Sequence, residues 1–240
     1  MIPLAIQKGD FVKLTYTGTV NGDVFDTTDA EKAQEEGIFD QEKNYGPIVV
    51  RVGSMHVIPG LDEALEGKEI GVDVEVEVAP EKGYGPHETD LVRSTTTKEF
   101  KEKPHVGMRV SSEGREGVVV NVVGKRVLID FNHPFAGKTL NYTFRIEGTI
   151  DDAGEKARGL IWLFSGRDME TDLADGVLTI MLPPGITYDR RWLMGRGMIV
   201  QQIFEYIDGI NEIVLKETFT RPQAAPGIVD AESGEETPSE

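Results

Sequence analysis

The sequence predicts an α+β protein, and three observations carry that prediction. Val72, Val74, Val76 and Val78 alternate with Asp73, Glu75 and Glu77, and Leu140, Tyr142, Phe144 and Ile146 alternate again further on. A period of two is the mark of strands with one buried face and one face in water. Ahead of these strands, Val57-Ile58 runs into Pro59-Gly60 and a helical pattern of barely two turns. From about residue 152 the pattern changes to helical segments that take turns with strands. The expected architecture is an antiparallel sheet with a short helix, an inserted small all-β domain, and a C-terminal α/β domain.

The elements follow in order. Residues 10–20, DFVKLTYTGTV, read as a strand, and Asn21-Gly22 is a strong hairpin signal before Val24-Phe25 resumes the apolar pattern. Thr28-Asp29-Ala30-Glu31 has the form of a capping box, opening a short polar helix that ends near Gly37. Tyr45-Gly46-Pro47 is a turn and IVVRV a strand. In the 57–65 corner, Pro59 suits a first helical turn, where its missing N–H would be unpaired anyway, and Gly67 sits where a C-terminal cap belongs. So short a helix is not stable alone.

Residues 87–131 read as a unit of their own. Its candidate strands are MRVSS, GVVVNVV and RVLIDF, with turns at Glu113-Gly114-Arg115-Glu116 and Gly124-Lys125. So short a unit is marginal by itself, which argues for both ends being anchored in a larger domain, as an insertion. Beyond 152, AGEKARGLIWLF and DRRWLMGRGMIVQQIFEYI are helical, and GVLTIMLP and NEIVLKETF are strands. Gly195 and Gly197 weaken the second helix or mark close helix packing. The expected boundaries are 1–86 plus 132–150, 87–131, 152–220, and a Pro-, Glu- and Ser-rich tail, 221–240, expected to be disordered.

The totals exclude several functions. The 240 residues are 39% hydrophobic and carry a formal net charge of −17. Such a charge repels phosphate backbones, so no nucleic-acid partner is expected. There is no cysteine, hence no disulfide and no thiolate chemistry. MIPLAIQKGD lacks the basic region of a signal peptide, and no run of 18 apolar residues exists, so a cytoplasmic protein without membrane contact is expected. His56, His87, His105 and His133 match no common metal spacing and read as surface or loop histidines. No nucleophile elbow or phosphate-binding loop is present. No cofactor and no metal are expected.

Four segments in order become specific: YTGTVNGDVFDTT (16–28), VRVGSMHVIPGLDEALEG (50–67), APEKGYGP (79–86) and NHPFAGKTLNYTF (132–144). Together they resemble an FKBP-type peptidyl-prolyl cis-trans isomerase. The insert between Tyr84-Gly85 and NHPFAG resembles the SlyD-like branch, with its insert-in-flap chaperone domain. The extra C-terminal domain resembles the long archaeal members. The resemblance implies a sheet wrapped around the short helix, with the proline pocket between them. It implies Tyr16, Asp26 and Tyr84 as catalytic residues, and Phe25, Ile48, Val57, Ile58, Leu61, Phe135 and Tyr142 as substrate-binding ones, Phe135 from the flap. The Ile58 N–H and the Tyr84 hydroxyl would bond substrate carbonyls, and Asp26 would pair with Tyr16.

Leu61 stands where many members have Trp, and Ile48 and Tyr142 where Phe is frequent, which implies weaker macrolide binding. Residues 222–240 hold no His or Cys, so the resemblance does not extend to nickel delivery. The implied partners are unfolded or proline-containing polypeptides. Two other functions compete: a holdase with a vestigial pocket, resting on the valine-rich insert, and a homodimer through 152–220. In the latter, Trp162, Phe164, Trp192, Met194, Met198 and Phe204 serve either as core or as interface.

Overall fold

The computed structural model describes residues 5–220. The first sheet holds β1 (Phe11–Val20), β2 (Asp23–Thr27), β3 (Ile48–Arg51), β4 (Asp73–Val78) and, later in the chain, a long strand, Leu140–Thr149. All its pairings are antiparallel. β2 and β3 share one edge of β1, and the Leu140–Thr149 strand lies between β1 and β4. The β1–β2 turn is the expected one: Asn21 and Gly22 both have positive φ, 54° and 94°, as a two-residue hairpin of the strands' twist requires.

The predicted alternation holds in the long strand, whereas in β4 only Val78 is fully buried, Val74 and Val76 are half-buried, and Val72 lies exposed ahead of the strand. Leu140, Tyr142, Phe144 and Ile146 face the core with Val12, Leu14, Val50 and Val78, and the short helix α2 (Pro59–Leu65) fills it with Leu61 and Leu65. Pro59 begins the helix, and Gly60 lets it lie against β4: a Cβ there would stand 2.5 Å from Val78 Cγ1. The helix before it, α1 (Ala30–Glu35), is capped differently from expectation. Asp29, not Thr28, is the N-cap, its carboxylate accepting from the Glu31 and Lys32 N–H groups. Thr28 is drawn inward, where its hydroxyl accepts from the Tyr16 N–H at 2.9 Å.

The insert is a four-stranded sheet of β5 (Val92–Thr96), β6 (Arg109–Ser112), β7 (Arg115–Val123) and β8 (Arg126–Asp130), in the order β5-β8-β7-β6. The long strand that follows is β9. β5, VRSTT, was not expected, since it carries one large apolar residue and no alternation. The β6–β7 turn is tighter than expected, with Glu113 and Gly114 alone at positive φ and Arg115 already paired to Ser112. Three residues, Val119, Val127 and Ile129, form the buried centre of this sheet.

The C-terminal domain packs α3 (Ala153–Ser165) and α4 (Arg190–Tyr206) against β10 (Thr171–Ala174), β11 (Val177–Leu182) and β12 (Glu212–Glu217). β11 and β12 pair in parallel, joined through α4. The close helix contact is not at Gly195 or Gly197. It is at Gly159 of α3, where a Cβ would stand 2.4 Å from Val49, so α3 lies directly on β3. The six large apolar residues divide: Trp192 is buried and Phe164 packs on the core, Trp162 packs on the first sheet's core, and Met194, Met198 and Phe204 are exposed. Among the described residues no helix is long and apolar enough to cross a membrane. The tail expected at 221–240 lies outside the described residues.

Candidate functional site

Six parts of the first domain converge on one cavity of about 780 Å³ between the first sheet and α2. β1 supplies Tyr16, β2 Asp26, β3 Ile48, the β3–α2 corner and α2 supply Val57, Ile58 and Leu61, the loop after β4 supplies Tyr84, and β9 supplies Tyr142. The remaining two residues of the sequence-derived set, Phe25 and Phe135, are not on the cavity surface. They lie one layer back, ring centroids 4.4 Å apart, with Phe25 edge-on to Tyr142 at 5.9 Å and Phe135 at 5.5 Å from Tyr84. Gly18 makes that layer possible, since a Cβ there would stand 2.9 Å from both the Phe25 and Tyr142 rings.

The corner that delivers Val57 and Ile58 is held by Asp62 from within α2. This buried carboxylate accepts from the Gly53 and Met55 N–H groups at 3.0 and 3.1 Å, the latter residue at a positive φ of 57°. Ile58 then caps the helix in extended conformation, and among the described residues its N–H makes no hydrogen bond.

The polar groups of the cavity form one coupled set. The Tyr16 hydroxyl donates to Asp26 Oδ2 at 2.7 Å, and Lys43 pairs with the other carboxylate oxygen. Burial, reinforced by the Asp26 charge, pushes the Tyr16 phenol far above the ordinary tyrosine range. Burial likewise raises Tyr142, with the neighbouring Tyr84 and Asp26 adding to it, and raises Tyr84, again helped by Asp26. All three phenols therefore stay protonated and remain donors. The Tyr142 hydroxyl has Tyr84 as its polar neighbour.

Several contributors had no signal in the sequence. His133 stacks on Tyr84 with centroids 4.1 Å apart and ring planes 7° from parallel, joining the flap to the cavity. His56 is a half-buried cavity residue rather than a surface one. Its Nδ1 accepts from the Arg51 N–H at 3.0 Å, so Nε2 carries the proton and donates to Gln202 of α4 at 2.8 Å. His87 is also engaged, Nε2 meeting Asp130 Oδ2 at 2.8 Å, while Asn132 exchanges hydrogen bonds with the Glu88 backbone. Partial burial would raise the Asp130 carboxyl, but bonds from His87 and Asn132 outweigh it and hold it below the usual range. These contacts brace the two chain crossings between the first domain and the insert.

The segment before β3, without a role in the sequence, closes one side of the cavity. Phe39 stacks on Tyr45 at 5.1 Å, Lys43 reaches Asp26, and Asn44 donates to the Gly166 carbonyl at 2.6 Å. Trp162, Leu163, Gly166 and Arg191 of the C-terminal domain line the same cavity. Sequence periodicity shows that a helix has an apolar face, not which distant cavity it meets.

Comparison with known proteins agrees with this architecture part by part. The model of the FKBP-type peptidyl-prolyl cis-trans isomerase family matches residues 3–101, that of the FKBP26 IF domain residues 96–135, and that of the FKBP26 C-terminal region residues 153–220. The short-type peptidyl-prolyl cis-trans isomerase of Methanocaldococcus jannaschii is 37% identical over 144 residues, which is 59% of this chain and 92% of that protein. The FKBP-type isomerase SlyD of Haemophilus influenzae is 30% identical over 131 residues, 50% of this chain and 69% of that one. SlyD of Vibrio cholerae is 30% identical over 149 residues, 60% of this chain and 68% of its own. On fold, insert and relatives together, this chain belongs to the FKBP-type peptidyl-prolyl cis-trans isomerases, as a SlyD-like member with an insert in the flap, and is an isomerase.

Proposed function

We propose that the cavity between the sheet and α2 binds X–Pro segments of polypeptides and twists them, and that the insert captures unfolded chains and passes them to it. Rotation about a peptide C–N bond faces a barrier of about 18–20 kcal/mol from resonance. X–Pro has nearly balanced isomers, so rate is the difficulty and not equilibrium. The planar amide carries more charge separation than the twisted one. An apolar floor of Ile48, Val57 and Leu61 disfavours the planar form, and donors aimed at the twisted geometry add differential binding. The Tyr84 hydroxyl and the unpaired Ile58 N–H are those donors in this reading. Asp26 and Tyr16 orient each other at the rim. No proton moves and no covalent intermediate forms.

The observation that carries the reading is the convergence of protonated phenols and a free backbone N–H on one apolar-floored cavity. The test is cis-to-trans relaxation of a short X–Pro peptide. Wild type accelerates it, and Tyr84→Phe weakens the acceleration. No acceleration of the peptide, nor of a protein whose refolding is proline-limited, leaves the holdase function in its place.

Chaperone action is supported by the insert's own surface. Val106, Val120 and Val123 are exposed, the last at 67%, and the outer edges of β5 and β6 pair with no strand among the described residues. Such an edge takes an extended peptide as an added strand. Unfolded cytoplasmic polypeptides are the clients in this reading. Replacing residues 87–131 by a short loop keeps activity on peptides and removes it on unfolded proteins. A homodimer through α4 belongs to the same reading, because the helix exposes the large apolar side chains Leu193, Met194, Met198 and Phe204, Met194 at 74%. Light scattering that gives one monomer mass for wild type and Met198→Glu alike ends that part.

A further inference from the structure

The cavity has a wall that the isomerase fold does not supply. Trp162 and Leu163 stand in the last turn of α3, half-buried, and pack on the same apolar cluster as Ile48, Leu61 and Tyr142 while lining the cavity with them. The wall is rigid for four reasons. Gly166 ends α3 at a left-handed φ of 68°, its N–H on the Trp162 carbonyl at 2.8 Å. Arg191 donates to the Phe164 and Leu163 carbonyls at 3.0 and 3.2 Å. Gly159 seats α3 on Val49, and Asn44 ties the helix end to the segment that carries Lys43.

The chemistry of that wall is one-sided. An indole and an isobutyl group present no charge to the cavity. The nearby cations are already engaged: Lys43 with Asp26, and Arg191 with the helix-end carbonyls. Asp40 and Glu42, on the same rim, add negative charge. An acidic side chain entering here loses water and meets like charge, and a basic one finds counter-charge only at the rim carboxylates, not against the indole. An apolar side chain buries surface against the indole.

We propose that Trp162 and Leu163 form an apolar subsite for the side chain flanking the substrate proline, so that the C-terminal domain sets the sequence preference of the isomerase. The proposal rests on the cavity being the X–Pro site. It makes both residues specificity determinants of the first domain's reaction, supplied by another domain.

The test uses the full chain and two peptide series, one varied at the residue before proline and one at the residue after it. The quantity read is the ratio of kcat/KM for a Leu peptide to that for an Ala peptide. A ratio taken on one preparation does not depend on the folded fraction. In one series the wild-type ratio is about tenfold, the scale on which apolar pockets discriminate. Trp162→Ala brings it several-fold toward unity, Trp162→Phe lies between, and Leu163→Ala lowers it as well. If Trp162→Ala does not fold, the other two variants decide. A wild-type ratio near unity in both series, or variant ratios equal to the wild-type ratio, overturns the proposal while leaving the cavity as the isomerase site. Failure of wild type to accelerate any peptide overturns the site itself, and the subsite with it.

Discussion

The Tyr16 hydroxyl reaches Asp26 at 2.7 Å although the two are not cross-strand partners: Asp26 pairs with Gly18, two residues along β1. The absent side chain at Gly18 leaves room for Phe25 and Tyr142 to lie over the strand, and it leaves Tyr16 free to lean diagonally to the carboxylate. Lys43 then takes the second oxygen from the far side. Asp26 is thus the node between the sheet, the segment before β3 and the phenols that line the cavity.

Asp26→Ala leaves the Tyr16 hydroxyl without its acceptor and Lys43 without its partner. A hydrogen bond to a charged group contributes about 1.5–3 kcal/mol, so kcat/KM on an X–Pro peptide falls roughly tenfold to a hundredfold. Asp26→Asn keeps an acceptor oxygen and falls less. Equal losses in both variants would show that the negative charge, rather than the acceptor, matters.

The raised phenols make stability depend on pH at the alkaline end. Unfolded tyrosines lose their protons near pH 10, while burial keeps Tyr16, Tyr142 and Tyr84 protonated in the fold. Their contribution is fully present below about pH 10 and is lost as pH rises from there toward the folded values. Denaturant midpoints measured from pH 9 to 11 should therefore fall, and Tyr142→Phe, with one fewer group to titrate, should fall less steeply. Parallel curves would mean that Tyr142 ionises as an exposed tyrosine does.

What was legible in the sequence is what short range determines. Asn21-Gly22 names its own turn, Pro59 its own helix start, and the valines of β4 their own buried face. Thr28 and Asp29 show where this ends: both can cap a helix, and only the tertiary partner of Thr28, the Tyr16 N–H, assigns the cap to Asp29. β5 and β10 were illegible because VRSTT and TDLA lack apolar alternation and exist as strands through their neighbours, β8 and β11. Within the site, the aromatics were legible through the family resemblance. Lys43, His56, His133 and Trp162 were not, because each joins the cavity through a contact between segments distant in sequence or through a stacking that no spacing records.

His56 links the cavity corner to α4 and depends on pH in the opposite direction. Burial depresses it below its ordinary 6.5, outweighing the opposing Gln202 hydrogen bond and Asp62 charge, with the Arg51 charge a minor addition to the depression. The folded state holds it neutral, with Nδ1 accepting from the Arg51 N–H. Its contribution is present above about pH 6.5 and is lost as pH falls toward the folded value, since the unfolded histidine takes up a proton first. His56→Asn retains an acceptor and does not titrate. Thermal midpoints compared at pH 7 and pH 5 should therefore fall less in the variant than in wild type, and an equal fall would show that His56 is not held neutral.

Two glycines on the two helices of the C-terminal domain give opposite results on the same substitution. Gly159 faces β3, and a Cβ would stand 2.4 Å from the Val49 Cβ and 2.5 Å from its Cγ1. Neither strand nor helix can give way without moving the cavity wall that Trp162 forms. Gly159→Ala should therefore destabilise the protein by about 1–3 kcal/mol, the usual cost of overpacking. Gly197 lies inside α4 with nothing within 4 Å of an added Cβ and with ordinary helical φ. There Ala removes backbone freedom from the unfolded chain and collides with nothing, so Gly197→Ala should stabilise by about 0.5–1 kcal/mol. Denaturant titration of both variants against wild type measures the contrast. A neutral Gly159→Ala would mean that α3 is free to lift off β3, and the wall that α3 presents to the cavity would then be mobile rather than fixed.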